Sequence, residues 1–312
     1  MLKDFYVIAV LYNPMRYKRR VQLFNEFVER MTKYGVNLVT VETAFGSRPF
    51  QTNADIKLQS DSMLWLKENM INIAISRLPP DWKYVAWIDS DIDFVRPDWA
   101  EETVHQLQHH PVVQMFQNAI DLGPTGEVMS TFTSFAYTHS LGKEFPFSKD
   151  GLPTYYGGYG DKGKYNEWHT GYAWAATREA IDAIGGLVDW ALIGSGDNHM
   201  ACAMTDQVMK STSADADHHY NKLLIEYQTR CVRALHKNIG YVPGTVYHYW
   251  HGKKKDRGYK ERWSVIIENQ FDPTRHVHKD SQGLYILYPG HQQLRNDLAE
   301  YFKSRNEDSI DL

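Results

Sequence analysis

Between residues 83 and 94 the chain reads KYVAWIDSDIDF, an apolar run that passes without a break into Asp89, Asp91 and Asp93. This stretch constrains the fold more than any other. Alternation along an extended segment would set all three carboxylates on one side. Carboxylates so placed repel one another unless positive charge faces them, and hard divalent cations prefer oxygen ligands. A Mg²⁺ or Mn²⁺ site bridging a diphosphate satisfies that need. Acids at a strand end equally suit a turn or a helix cap.

The preceding residues give the frame. Phe5 to Leu11 reads as a buried strand, broken at Asn13-Pro14. Residues 17–34 carry Val21, Phe24, Val28 and Met31 at helical spacing, and Gly35 ends that helix. VNLVTVE (36–42) is a second strand, ending in Glu42. This β-α-β order predicts a parallel sheet. Residues 61–77 read as a helix closed by Pro79-Pro80, followed by the strand KYVAWI. Ligands of open parallel sheets bind beyond the carboxyl ends of the strands, where Glu42 and the Asp89 cluster both fall. A helix over 98–110, a strand over 112–116, helical segments at 177–184 and 197–209, and a last strand in IGYVPGTVYHYW complete the pattern. Residues 120–168, rich in Gly, Tyr, Ser and Thr, read as a lid facing the substrate.

Composition narrows the class. A net charge of −4 over 312 residues gives no global basic field for nucleic acid, although a local patch is compatible with it. Two cysteines form neither a disulfide framework nor a zinc cluster and fit a reducing, cytoplasmic setting. The apolar run near the amino end is too short for a membrane span and lacks the layout of a signal peptide.

Two further segments carry chemistry. YHYWHG (247–252) sets His248 and His251 three apart, before Lys253, Lys254, Lys255 and Arg257. Imidazoles suit Mn²⁺-type ions and the cations suit phosphates, while a buried histidine pair beside a solvated charge run is the plainer role. HTGYAWAATREAIDAIGGLVDWALIGSGD (169–197) holds two glycine clusters and ends in Asp197, either an N-cap or a general base.

Together these motifs resemble the GT-A class of nucleotide-sugar glycosyltransferases, in its galactosyltransferase-like, family 2-like branch of soluble viral or bacterial type. WLKENMIN before KYVAWIDSD is similar to the helix that precedes Asp-x-Asp in that branch, with Lys67 and Asn72 at matching positions. GSGD is similar to its Gly-Gly-Glu-Asp acceptor segment, with Gly196 in place of the Glu. His248 and His251 fall on its Met and His metal positions. The resemblance covers residues 5–262. It implies an α/β fold of GT-A (Rossmann-like) type, a mixed, mainly parallel sheet flanked by helices. Residues 1–264 would form the glycosyltransferase domain and 265–312 an extension packed on it.

It also implies a site. Asn13 and Glu42 would contact the base or ribose, Asp89 the ribose or sugar, and Lys67, Asn72, Lys254 and Arg257 the rest of a UDP-sugar donor. Asp91, His248 and His251 would bind Mn²⁺ or Mg²⁺, Asp93 being a more distant group or a turn residue. Asp197 would act as base with inversion. Trp168, His169 and Trp174 would stack on the acceptor, although Trp174 equally suits the core. The acceptor expectation leans to a 5-hydroxymethylpyrimidine in DNA, through KKKDRGYKER (253–262) and the aromatic lid. A cell-surface glycan or lipid-linked saccharide stands close behind. A metal-dependent nucleotidyltransferase or phosphoesterase, and a non-catalytic binding module, are the rivals from other classes.

Overall fold

The computed structural model describes residues 2–146 and 165–311. Twelve strands build two sheets. They are β1 (Phe5–Tyr12), β2 (Asn37–Phe45), β3 (Ile56–Ser60), β4 (Tyr84–Ile88), β5 (Ile92–Phe94) and β6 (Val112–Gln114). Then follow β7 (Asn118–Leu122), β8 (Val128–Ser134), β9 (Tyr165–His169), β10 (Ala173–Thr177), β11 (Ile239–Tyr241) and β12 (Thr245–His248). The first sheet has the order β11-β6-β10-β4-β1-β2-β3, with β10 antiparallel to both its neighbours and the other pairings parallel. The second has the order β5-β12-β7-β8-β9. This is the mixed, mainly parallel sheet flanked by helices that the resemblance implies.

Apolar side chains cover both faces of the first sheet. Ile8 and Val85 join one core, while Val7 and Ala86, one position away on the same strands, join the other. The helix Lys18–Tyr34 buries Leu23, Phe24, Phe27 and Met31, and Gly35 closes it in the left-handed region at φ 69°. Val21 and Val28, on the expected apolar stripe, are only partly buried.

The chain crosses between the sheets at 89–91, 95–111, 115–117, 170–172 and 242–244. The first crossing changes the reading of the acids. They do not share one side of an extended segment, because the backbone turns after β4: Ile92 N–H donates to Asp89 C=O at 3.1 Å. β5 then starts in the other sheet.

Other boundaries also move. The helix read over 61–77 spans only Lys67–Ser76, since Trp65 N–H donates to Leu192 C=O, across the fold. β2 runs past Glu42 to Phe45 because it pairs with β3 as well as β1. The segment 120–146 holds β7, β8 and a helix Phe135–Ser140 instead of a lid loop; of the rest of the lid, 147–164 lie outside the described residues. IGYVPGTVYHYW makes two strands, one in each sheet, with a turn at Pro243-Gly244. The helix His218–Leu235 was not foreseen. Phe271, Leu284, Leu287, Leu294 and Leu298, all beyond residue 264, pack into the same core as β1 and β4. No helix among the described residues is long and apolar enough to cross a membrane.

The helix Gly196–Met204, which begins beside Asp197, is locked from below by His199. Its ring nitrogens meet Ser211 Oγ at 2.8 Å and Tyr220 Oη at 2.9 Å. Burial, aided by Arg262, pushes His199 down to about 3. Between pH 6.5 and that value the unfolded chain holds a proton the folded chain refuses, so stability is lost as pH falls. At pH 4.5 the parent should have lost about 2–3 kcal/mol to this group. Urea unfolding at pH 7 and 4.5 should show a smaller difference for His199→Gln; an equal difference would refute the assignment.

Candidate active site

Two backbone bonds pin the turn at 89–91. Asp89 N–H donates to Tyr172 C=O, and Tyr249 N–H donates to Asp91 C=O, both at 2.8 Å. The three side chains then diverge. Asp89 pairs with Lys67 Nζ at the start of the helix Lys67–Ser76. Asp91 Oδ2 lies 3.0 Å from both His251 Nε2 and Arg20 Nη1. Asp93, a strand residue and not part of a turn, meets Arg30 Nε at 3.6 Å and accepts from Tyr249 Oη at 3.1 Å.

Asp91, His248 and His251 form a buried cluster suited to a metal ion. His248 Nε2 is 3.3 Å from His251 Nε2 and 3.9 Å from Asp91 Oδ1. Donors about 2.1 Å from one shared ion at right angles lie about 3 Å apart, close to these spacings. The second carboxylate oxygen, Asp91 Oδ1, is buried with no hydrogen-bond partner. An orphan oxygen beside two imidazoles is a donor set that suits Mn²⁺ and accommodates Mg²⁺ less well. The residues therefore fit the ion that the resemblance implies.

Burial works to raise the Asp91 carboxyl, but His251, His248 and Arg20 outweigh it and hold it well below the usual range. Burial and the Arg257 guanidinium push His251 down, which favours the neutral ring that a metal needs. Arg257 Nη2 donates to His251 Nε2 at 2.9 Å. Behind His248, Asp121 Oδ1 stands 3.0 Å from Nδ1 and also accepts from Tyr172 Oη at 2.6 Å. Lys254 Nζ bonds the other Asp121 oxygen. A carboxylate behind a histidine fixes its tautomer and aims its far nitrogen.

The cluster opens into a cavity whose cations, Arg20, Lys67, Lys254, Arg257, Arg262 and Arg305, outnumber its acids, Glu68, Asp89, Asp91 and Asp197. Such a surface suits a polyanion. Asp197 stands at the start of its helix, where Oδ1 accepts its neighbour's Asn198 N–H at 2.8 Å. Its Oδ2 closes on Gly171, where a Cβ would come within 2.8 Å. Glu68 occupies the space over Gly196, whose Cβ would lie 2.6 Å from its carboxyl carbon. Burial drives Glu68 up to about 7; Lys67 opposes the rise and Asp197 adds to it. Tyr172 and Ser195, both on the cavity wall, take positive φ of 79° and 81°, a strained choice for residues with a Cβ.

Lys67, Asp89, Asp91, His169, Asp197, His248, His251, Lys254 and Arg257 all reach this cavity. Five others expected in it do not line it, and each is committed elsewhere. Asn13 clasps the backbone of Tyr17, accepting at 2.9 Å and donating at 2.8 Å. Asn72 makes the same double bond to Leu187, at 2.9 and 3.0 Å. Glu42 takes Gln51 N–H, Thr52 N–H and Thr52 Oγ1, tying down the loop beyond β2. Trp168 packs edge-on against Phe135 and Phe145, and Trp174 is buried with Nε1 donating to Thr170 C=O. Sequence reasoning did not single out Arg20, Glu68, Asp121, Arg262, Arg305 and Glu307. Glu68, beside Lys67 in the quoted helix motif, and Arg262, at the end of the basic run 253–262, carried a local signal.

No family model matches the chain and no curated protein matches it. Among solved structures, the catalytic domain of Drosophila β1,4-galactosyltransferase 7 with xylobiose is 11% identical at a TM-score of 0.35, over 65% of this chain and 61% of that one. The chain thus spans about three fifths of that domain. A mutant of the same Drosophila enzyme with manganese, UDP-Gal and xylobiose is 12% identical at 0.34, over 70% and 73%. A glycosyltransferase involved in glycosylation of the major capsid of PBCV-1 is 10% identical at 0.29, over 95% and 98%.

Two substitutions separate structure from site. Glu42→Gln should cost about 1–3 kcal/mol in urea unfolding by weakening a buried acceptor, yet leave nucleotide and Mn²⁺ affinity unchanged; a loss of nucleotide affinity would return Glu42 to the site. For Glu68, the folded chain retains a proton that the unfolded chain releases between pH 4.5 and about 7, so stability falls as pH rises through that window. Glu68→Gln should therefore be more stable than the parent at pH 8 by about 1–3 kcal/mol and gain nothing at pH 4.5.

Proposed function

We propose that the chain is a metal-dependent, inverting glycosyltransferase that moves a sugar from a UDP-sugar to a saccharide hydroxyl. The observation that carries this reading is the buried Asp91-His248-His251 cluster, with its orphan oxygen, set among cavity cations and sharing that cavity with the Asp197 carboxylate. UDP as the donor nucleotide follows from the motif resemblance.

When bound, Mn²⁺ or Mg²⁺ at Asp91, His248 and His251 would withdraw charge from the leaving diphosphate as a Lewis acid. Arg20, Arg257 and Arg305 bind its phosphate oxygens. Lys67 and Asp89 hold each other at the cavity wall and present one cation and one acceptor to the sugar. Asp121 keeps His248 aimed inward. Asp197 takes the proton from the acceptor hydroxyl as its oxygen attacks the anomeric carbon. The new carbon–oxygen bond forms as the bond to the phosphate oxygen breaks, and in-line attack inverts the configuration. His169, kept neutral by burial and by Lys254, walls the acceptor side without adding charge.

The acceptor preference turns on where the basic run goes. A grip on DNA needs KKKDRGYKER to face outward, but three of its six cations, Lys254, Arg257 and Arg262, turn into the cavity, leaving Lys255 and Lys260 exposed. Glu68 beside Asp197 gives a second carboxyl for a polyhydroxylated acceptor, which suits a saccharide better than the single hydroxyl of a modified base.

UDP release from a panel of UDP-sugars should require Mn²⁺ or Mg²⁺, cease with EDTA, and rise with an acceptor saccharide more than with hydroxymethylated DNA. Stimulation by the DNA alone would overturn the acceptor assignment. Asp197→Asn should lower turnover about 10²–10⁴-fold while UDP still binds. Release of nucleoside monophosphate instead of UDP would replace sugar transfer with nucleotidyl or phosphoester chemistry.

A further inference from the structure

The segment 301–309 lies beyond every motif that pointed to the site, yet it reaches the centre of it. Glu307 is buried at 5% exposure. Its Oε1 takes Arg305 Nε and Nη2 at 2.6 and 2.5 Å. Its Oε2 faces Arg20 Nε at 3.3 Å and His251 Nδ1 at 3.7 Å. That His251 nitrogen is buried and has no hydrogen-bond partner. The backbone is equally close: a Cβ on Gly252 would lie 2.7 Å from Asn306 C=O and 3.0 Å from Glu307 Cα. Neighbours on both sides hold the segment down. Asp308 accepts the N–H groups of Lys18 and Arg19, capping the helix that carries Arg20, and Trp250 Nε1 donates to Ser309 C=O.

We infer that Glu307 is a positioning residue for metal binding, the carboxylate that holds the His251 ring with its metal-facing nitrogen toward Asp91. The argument rests on the proposed metal site. A ring that gives Nε2 to an ion carries its hydrogen on Nδ1, and Glu307 Oε2 is the carboxylate facing that hydrogen. Asp121 stands in the same relation to His248, at 3.0 Å. The two histidines are thus backed by carboxylates from different parts of the chain, one on β7 and one after the helix Gln292–Ser304. The same side chain steadies Arg20 beside Asp91. Binding of the metal therefore draws on the Glu307 carboxylate that this segment supplies.

Calorimetric titration of the whole chain with MnCl₂ tests this. Glu307→Gln should weaken Mn²⁺ binding about 10–100-fold. Asp308→Ala is the control: it removes the helix cap from the same segment, so it should lower Tm yet leave Mn²⁺ affinity within about threefold of the parent. Should Glu307→Gln not fold, Glu307→Asp keeps the charge for Arg20 and Arg305, shortens the reach to His251, and should weaken binding in the same direction. Unchanged Mn²⁺ affinity in the Glu307 variant overturns the inference, as does an equal loss in Asp308→Ala. If the parent takes up no Mn²⁺, the metal reading itself falls, an outcome distinct from either.

Discussion

An ionised carboxylate with 4% of its surface exposed has to be met by positive charge or by donors, and at Asp91 that need draws together distant parts of the chain. Arg20 arrives on the first helix and His248 and His251 from the end of β12, while Glu307 follows the helix Gln292–Ser304 and faces two of them. Each partner is itself buried or half-buried, so each needs support in turn. Asp121 serves His248 and Lys254, and Arg305 serves Glu307. The result is a layered set of ion pairs in which removing one member leaves another uncompensated. It lies where the chain turns from one sheet into the other.

Charge balance explains why the same place suits a metal and a diphosphate. Arg20 and Arg257 reach two of the ligand atoms, Asp91 Oδ2 and His251 Nε2. Positive charge already stands there, balanced by Asp91, Asp121 and Glu307, and an ion would bring more. The phosphates of the proposed donor would answer that added charge and draw the same guanidinium groups. The strained backbone of Tyr172 and Ser195 fits this picture, since the ring of Tyr172 stacks on His169 and His248 and the hydroxyl of Ser195 takes Arg262.

Much of the frame was legible because it depends on local pattern. β1, the helix after it, and β4 running into Asp89 were all written in apolar periodicity and in the breaks at Pro14, Gly35 and Pro79. Asp91, His248 and His251 stood out because their residue types and order carry chemistry, and the fold brings the three together. Asn13, Glu42 and Asn72 misled for one reason: a polar residue at an element end looks the same whether it meets a ligand or a neighbouring backbone. Only the fold reveals that Leu187 or Thr52 has claimed it. Arg20, Asp121, Arg305 and Glu307 escaped because nothing in their own sequence neighbourhoods marks them. Their role comes from tertiary pairing across up to 287 positions in the chain, as in the pair Arg20–Glu307.

The basic run shows how far a local pattern can point the wrong way. KKKDRGYKER has the composition of a nucleic-acid grip, and composition assigns all its cations to solvent. The fold instead coils Lys254–Arg257 into a short 3-10 helix closed by Gly258 at φ 49°, which turns Lys254 and Arg257 toward the buried carboxylates and histidines. Arg257 is 6% exposed and bonds the ring of His251, and Lys254 is committed to Asp121. A cation held this way cannot track a phosphate backbone outside the cavity, but it can neutralise a phosphate that enters. The same residues therefore argue for a small anionic donor inside, with only Lys253, Lys255 and Lys260 among the run's cations outside the cavity lining.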